Sequence, residues 1–477
     1  MKDRSIYFYK CWMLCFPAYL PNAELQRVTK NHRTVMYIRG WTATAADKRT
    51  MPQQTTQLPE EVETAPRPRR QISMFRSLYH RDFAIFWTGN FLSNIGTWMQ
   101  NIALGWVILI ITNSPFLLGL NGFLAQIPSL LFALPGGAIA DRLDRRKLML
   151  STQTSMLLLA LLLATLTFLH HITITEILLI SALTGVASAL NYPAYQALIP
   201  DLVSRDNLLN AIALNSAQFN MSRAIGPTLA GVALGVLGAS ACFYLNSASF
   251  LALIVALLVI TIPRRKVCEG LRFWDAMLDG VRYFNSNRML IVLLTVPAFL
   301  SFLGLPFIVL MPVVAKNLIK VGASGLGYLM GGAGLGAVAA ALIIAAKGTP
   351  ERRGRIILTN GMLFSLALIL LAHAHTFWCA FVLLVVMGAT MVGTLTLTNT
   401  TFQMSSPPEL RGRIMALFYM AMSGLLPFGS LQAGALAQAF GTRFALAFGG
   451  TVCLIYFSIL QICLNRLRRA GQLPRPA

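Results

Sequence analysis

The sequence has few charged residues, and acidic residues are fewer than basic ones. Only 12% of the 477 residues are charged while 56% are hydrophobic, and Asp and Glu number 17 against 39 Lys and Arg. A water-soluble domain carries roughly twice that charged fraction. This scarcity excludes an ordinary soluble protein and indicates a polytopic membrane protein.

Several chemical motifs are also missing. The seven cysteines are odd in number and form no Cys-x-x-Cys pair, so neither a disulfide framework nor a zinc site is expected. The chain has no Gly-x-x-x-x-Gly-Lys-Ser/Thr run, which excludes ATP hydrolysis at a P-loop. No Ser, Cys or Asp stands in a recognisable nucleophile context. We therefore expect no enzymatic activity, no cofactor and no metal, and we interpret His170, His171, His373 and His375 as exposed loop residues.

Long apolar runs dominate what is present. A helix needs about 20 mainly apolar residues to cross a bilayer. Twelve runs of that length are the most economical count, and they lie at about 83–112, 115–140, 148–169, 173–198, 208–237, 239–262, 289–314, 324–346, 355–372, 376–402, 410–440 and 442–464. The pattern predicts an all-α membrane protein with twelve transmembrane helices in a lipid bilayer.

Basic residues are concentrated on one side of this pattern. The linkers of the opposite side carry only Lys316, Lys320 and Arg443. The positive-inside rule therefore predicts that both termini are cytoplasmic. The net charge of +22 has the same origin, because the bases lie in short linkers rather than in one patch. Nucleic acid is not an expected partner.

The two halves of the chain repeat. Asn191 corresponds to Asn399 after 208 positions, and Gly231 corresponds to Gly434 after 203. Repeats of this kind predict two pseudo-symmetric six-helix bundles. The predicted divisions are a disordered cytoplasmic arm, or a translation start placed too far upstream, at 1–75; a bundle at 76–262; a cytoplasmic amphipathic helix, or a solvated linker helix, at 263–288; a second bundle at 289–465; and a cytoplasmic tail at 466–477.

The run 135–147, P-G-G-A-I-A-D-R-L-D-R-R-K, changes abruptly from apolar to charged. Charge alone also suits an ordinary topology signal, but the order resembles the signature loop between helices two and three of the major facilitator superfamily. Asp144 replaces the usual glycine, as in the drug and siderophore exporter branch. Segments 75–100, 200–211 and 223–231 are similar to exporters of enterobactin and macrolides. The candidate gating residues are Gly137, Asp141, Arg142, Asp144, Arg145 and Arg146.

Polar side chains recur at helical spacing inside several apolar runs. Such residues are expensive in hydrocarbon unless they meet a partner or water. We interpret them as the lining of a central cavity, which spans one, four, seven and ten form in the family that the chain resembles. Hydrogen bonding between helices is the alternative for any single amide. The candidates are Asn94, Trp98, Asn101, Asn191, Tyr195, Asn220, Asn399 and Gln403.

Arg223 is the one cation well inside a span. A partner must compensate its charge, and Glu176 is the nearest carboxylate by depth; snorkelling to the surface is the alternative. The residues that follow, Gly226, Pro227 and Gly231, resemble the antiporter signature of the superfamily. Because proline frees a backbone carbonyl, these residues are predicted to form a hinge.

The resemblance implies a function. We expect a monomeric secondary transporter of the bacterial inner membrane that exports a small organic molecule, a siderophore or a drug-like compound, by alternating access. Proton antiport is implied in the same way, with the proton gradient as energy source. Asp141 and Arg145 are expected to hold the cytoplasmic gate between the halves. An importer, or a membrane sensor or scaffold that moves no solute, remains as the alternative.

Overall fold

The computed structural model describes residues 76–132, 144–261, 282–284, 287–348, 352–407 and 410–469. The predicted N-terminal arm, most of the amphipathic helix at 263–288 and the end of the tail lie outside these residues. So do three predicted gating residues, Gly137, Asp141 and Arg142. The domain boundaries therefore stay predictions.

Every long element that the structure describes is a helix. The helices are α1 (Arg81–Thr112), α2 (Pro115–Leu131), α3 (Arg145–Phe168), α4 (Ile174–Leu198), α5 (Leu208–Val236), α6 (Ala239–Val259), α8 (Ala323–Lys347), α9 (Arg353–Ala372), α10 (Phe377–Met404), α11 (Arg411–Phe440) and α12 (Thr442–Arg469). Between α6 and α8, α7 is a composite of Arg288–Phe299, a π-helical turn at Leu300–Gly304, Phe307–Val313 and a second π-helical turn at Val314–Leu318.

The predicted all-α membrane fold is confirmed. Ten of the described helices are long and apolar enough to cross a bilayer. The two remaining members of the predicted twelve differ from them. α2 spans 17 residues in the described part of the chain, and α5 is long but carries Asn215, Gln218, Asn220 and Arg223. The count of twelve spans therefore stays a prediction for these two helices.

Local chemistry fixes where several helices begin. The Asp144 carboxylate caps α3 by accepting from the backbone N–H groups of Arg146, at 2.9 Å, and Lys147, at 3.3 Å. Asn287 caps α7 in the same way. Such side chains satisfy N–H groups that have no partner within the helix.

Two glycines make tight turns at equivalent places. Gly238 joins α5 to α6 with φ of 83°, and Gly441 joins α11 to α12 with φ of 90°. Positive φ is strained for residues with a Cβ, so glycine is favoured there. The two positions lie in corresponding turns of the two halves.

The helices pack in two groups. In the first, α1 packs against α5 and α6, α3 against α4 and α6, and α2 against α4. In the second, α8 packs against α10, α9 against α10 and α12, and α11 against α7 and α12. We call the end at which α1 begins the basic face, since its loops carry most of the bases, and the other end the opposite face.

Two helix pairs, α5–α8 and α2–α11, supply the main contacts between the groups. Gly231 of α5 lies against Gly327 of α8, and Gly119 of α2 lies against Gly434 of α11, so closely that an added Cβ would strike backbone atoms. Small residues permit this close approach of membrane helices. Each glycine pair lies near the opposite face, so the two groups meet there.

We predict that Gly327→Leu separates α5 from α8 at the opposite face. A Cβ on Gly327 would overlap the backbone of Gly231 and approach the Pro227 carbonyl oxygen. Overpacking of this kind costs about 1–3 kcal/mol, which shifts a two-state equilibrium by roughly tenfold or more. The measurement is labelling from the opposite face of a cysteine placed at Ser216, in a chain without its native cysteines.

Gly322→Leu is the matched control for this variant. Gly322 precedes the same helix, has a negative φ, and an added Cβ there would meet nothing within 4 Å. Labelling should increase in Gly327→Leu and stay unchanged in Gly322→Leu. Equal labelling in both variants would show that this contact does not hold the opposite face closed.

Candidate functional site

A cavity of about 1190 Å³ lies between the two helix groups. Residues of α1, α2, α3, α4, α5, α7, α8, α10 and α11 line it. The contacts of α5 with α8 involve its segment from Ala224 to Gly235, whereas Asn210 to Arg223 of the same helix face the cavity. The space is therefore sealed near the opposite face and extends toward the basic face.

Arg223 stands in this wall near the middle of α5. Its guanidinium carbon lies 5.7 Å from the centre of the Trp98 ring, a distance at which a cation is attracted to an aromatic face. Its Nη2 also lies 3.5 Å from the sulfur of Met391, a weak acceptor. Phe219 meets Trp98 edge-on, with ring centres 6.4 Å apart.

Five of the predicted cavity residues share this lining with Arg223. They are Trp98, Asn101, Asn220, Asn399 and Gln403. Gln403 donates to the Asn399 side-chain oxygen at 2.6 Å, and Asn220 donates to the Ser216 carbonyl at 2.8 Å. The structure thus brings polar residues of α1, α5 and α10 together in the wall of one cavity. Their part in substrate binding stays a prediction.

The prediction that Asn191 and Tyr195 belong to the cavity is wrong for this conformation. Asn191 accepts from the Thr152 hydroxyl at 3.0 Å. The Tyr195 hydroxyl accepts from Asn90 at 3.1 Å and donates to Asn215. These bonds join α4 to α3, α1 and α5, because amides inside a bundle bond to neighbouring helices where they can.

Two further predictions need correction. Glu176 is half-buried and accepts from the Thr173 backbone N–H at 2.8 Å, which completes a capping box at the start of α4. It therefore lies at the opposite face and is not the partner of Arg223. Asn94 is half-buried in α1 but is not among the cavity-lining residues.

Of the predicted gating residues, Asp144, Arg145 and Arg146 are described. Arg145 Nη1 pairs with the Asp201 carboxylate at 2.7 Å and also donates to the Ala197 carbonyl at 3.1 Å. Arg146 donates to the Leu258 carbonyl at 2.6 Å. These contacts tie α3 to other helices of its own group. In this conformation, Arg145 therefore does not bridge the two groups as the sequence suggested.

The predicted hinge residues lie at helix contacts. An added Cβ on Gly226 would strike Trp98 and the Ile95 carbonyl oxygen of α1, and Gly231 meets α8 as described above. α5 remains helical through Pro227. These glycines allow α5 to approach α1 and α8 closely, and hinge motion stays a prediction.

Sequence reasoning missed several lining residues on α2 and α4. Asn121 accepts from the Ser181 hydroxyl at 2.7 Å, and both residues line the cavity with Thr184 and Ser188. Ser181, Thr184 and Ser188 recur at intervals of three and four. That periodicity could have identified one helix face.

A family model described as transmembrane secretion effector matches residues 72–473. The chain belongs to this family of the major facilitator superfamily. The predicted resemblance is therefore confirmed.

Curated relatives of this transporter family match most of the chain. The staphyloferrin A transporter of Staphylococcus aureus is 25% identical and covers 77% of this chain and 93% of its own length. The enterobactin exporter of Salmonella choleraesuis is 24% identical, and the match covers 83% of this chain and 95% of the exporter. Macrolide efflux protein A of Streptococcus pyogenes is 20% identical, and the match covers 81% of this chain and 96% of the efflux protein.

Solved structures share the fold at low identity. A bacterial homologue of the human lysosomal transporter Spinster, inward-facing and unoccupied, has a TM-score of 0.61 at 14% identity and covers 84% of this chain and 99% of its own. The nucleoside transporter NupG has a TM-score of 0.62 at 14% identity, and the match covers 82% of this chain and 100% of NupG. These likenesses establish the fold alone. The family assignment makes the chain a multi-pass membrane transporter and not an enzyme.

We predict that Tyr195→Phe lowers stability and leaves the transport rate per folded molecule unchanged. The substitution leaves Asn90 and Asn215 without the hydroxyl that joins them. A hydrogen bond between membrane helices contributes about 0.6–2 kcal/mol, and the substitution removes two of them. The measurements are thermal unfolding in detergent and transport normalised to folded protein.

The control for Tyr195→Phe is Tyr192→Phe. Tyr192 is 53% exposed, and its hydroxyl accepts a bond from Gln196 one turn away. Its loss should change stability by no more than about 0.5 kcal/mol. If Tyr195→Phe instead stopped transport at unchanged stability, Tyr195 would belong to the transport pathway after all.

Proposed function

We propose that this transporter exports a small organic molecule, a siderophore or a drug-like compound, by alternating access. The observation that carries the proposal is the cavity between the two helix groups, sealed near the opposite face and extending toward the basic face. A rocking movement of one group against the other would exchange which side is sealed.

Close contacts between small residues support such a movement. The α5–α8 and α2–α11 pairs meet through glycines rather than through interlocked large side chains. Separating these surfaces near one face does not require large side chains to leave packed pockets. The two pairs occupy corresponding places in the repeat, so both can open together.

The proposed direction rests on the family and its relatives. The chain matches a family described as a secretion effector, and two of its relatives are named as an enterobactin exporter and a macrolide efflux protein. The excess of bases at the basic face supports a cytoplasmic position for that face. The cavity would then receive its substrate from the cytoplasm of a bacterium, across the inner membrane.

The proton gradient is the proposed energy source. The cavity lining in the described residues contains no Asp, Glu or His, so no carboxylate there is available for proton exchange. The coupling group would then be the substrate itself or a residue elsewhere in the chain.

A disulfide across the opposite face tests alternating access. The Ser114 hydroxyl donates to the Gln438 side chain at 2.9 Å, which links α2 to α11 at that face. We expect Ser114→Cys with Gln438→Cys, in a chain without native cysteines, to lose export on oxidation and to recover it on reduction. The assay measures how much enterobactin, staphyloferrin A or macrolide accumulates in intact cells.

The single variant Ser114→Cys is the control and should export equally under both conditions. Lower accumulation in expressing cells supports export, whereas higher accumulation would identify an importer. Unchanged accumulation of every compound, with the protein folded in the membrane, would favour the sensor or scaffold alternative. Export that persists in the oxidised double variant would reject alternating access through this face.

A further inference from the structure

Resting on the proposed function, we propose that the cavity binds an organic anion and that Arg223 is its charge partner. This deepens the proposal, because siderophores and drug-like compounds include both anions and cations.

Arg223 lies where a cation is costly. It stands near the middle of α5, and a charged side chain at the centre of a bilayer costs several kcal/mol unless water or a partner compensates it. Snorkelling serves cations near helix ends, so it does not suit this position. Arg223 opens instead onto the cavity.

Arg223 makes no ion pair with any residue that the structure describes. Its contacts are the Trp98 ring and the Met391 sulfur, neither of which carries a negative charge. A guanidinium presents five donors in a planar fork that matches a carboxylate. Most of that capacity remains available to an occupant of the cavity.

The remainder of the described lining is neutral. Arg223 is its one charged residue, and the described acidic residues, Asp82, Asp144, Glu176, Asp201 and Asp206, lie at helix ends or in loops. A cationic occupant would meet a like charge with no acid to offset it, whereas an anionic occupant would be attracted. Electrostatic complementarity therefore selects for negative charge.

The other side chains of the cavity wall further define the anion. Trp98 and Phe219 offer aromatic surface, and the wall supplies amide groups from Asn101, Asn399 and Gln403. A few polar groups on an apolar wall typically fix the orientation of a small molecule. The chemical class that fits is a carboxylate on an aromatic or oxygen-rich body.

Salicylate and salicylamide form a probe pair that isolates charge. They share a hydroxylated ring and differ in carrying a carboxylate or a neutral amide. We expect salicylate to raise the thermal unfolding temperature of the purified full chain and salicylamide to have little effect. Equal effects of the two probes, or no effect of salicylate, would overturn the proposal.

Three variants connect this binding to the guanidinium. Arg223→Met removes the charge at similar bulk and should abolish stabilisation by salicylate. Arg223→Lys keeps a cation but loses the planar fork, so the apparent affinity should fall by about tenfold. Arg443→Met removes an exposed arginine that contacts His375 in a loop of the opposite face, and should bind salicylate like the wild type.

Folding of the variants is checked by their unfolding temperatures without probe. If Arg223→Met does not fold, Arg223→Lys carries the same test. Unchanged salicylate binding in Arg223→Met would overturn the inference and make the arginine structural. If Arg223→Met does not fold, unchanged binding in Arg223→Lys has the same meaning.

Export assays distinguish failure of the anion site from failure of the proposed export function. Export of anionic compounds that Arg223→Met abolishes supports both proposals. Export of cationic macrolides by the wild type and by Arg223→Met alike would reject the anion site while leaving the exporter standing. No export of any compound, together with salicylate binding that depends on Arg223, would reject the exporter while leaving the anion site standing.

Discussion

Hydrocarbon offers no hydrogen-bond partners, and this constraint shapes the whole protein. The backbone satisfies itself by forming helices throughout the spans that the structure describes. Buried hydroxyls follow the same rule: Thr390, Thr394 and Thr398 of α10 each donate to the carbonyl four residues earlier. Amides with a facing helix in reach bond across to it, as Asn191 does to Thr152. Other polar side chains, such as Asn101, Asn399 and Gln403, line the cavity, and Arg223 adds a charge to that wall.

The same constraint explains why α5 is unlike its neighbours. Its half toward the basic face carries amides that face the cavity, and its other half carries Gly231 and Gly235 against α8. One helix thus forms part of the binding wall and part of the seal. A movement that changes the α5–α8 contact must also move Arg223, which gives a physical route by which occupancy could influence the seal. The differential affinity of the substrate for the two states would set the size of that influence.

A neutral wall with one arginine also bears on energy coupling. Proton antiport through a cavity carboxylate needs an acid that the described lining lacks. An anion that leaves a cell with a negative interior moves with the field, which is worth about 2.3 kcal/mol per charge for each 100 mV. The electrical part of the proton-motive force can therefore act on an anionic substrate directly. Such coupling needs no titrating side chain in the wall.

The sequence by itself determined the membrane class, the helices and the family, since apolar run length, charge placement and the signature loop are local properties. It also placed Trp98 with Asn101 on one helix face, because the α-helical period is fixed. It could have shown that Glu176 completes a capping box at the start of α4, since Thr173 stands three residues before it. Only the tertiary structure decided which amides form hydrogen bonds to a neighbouring helix and which line the cavity. Asn191 and Asn399 occupy equivalent positions, yet the first bonds to Thr152 while the second faces the cavity, because only a facing helix supplies or withholds a partner.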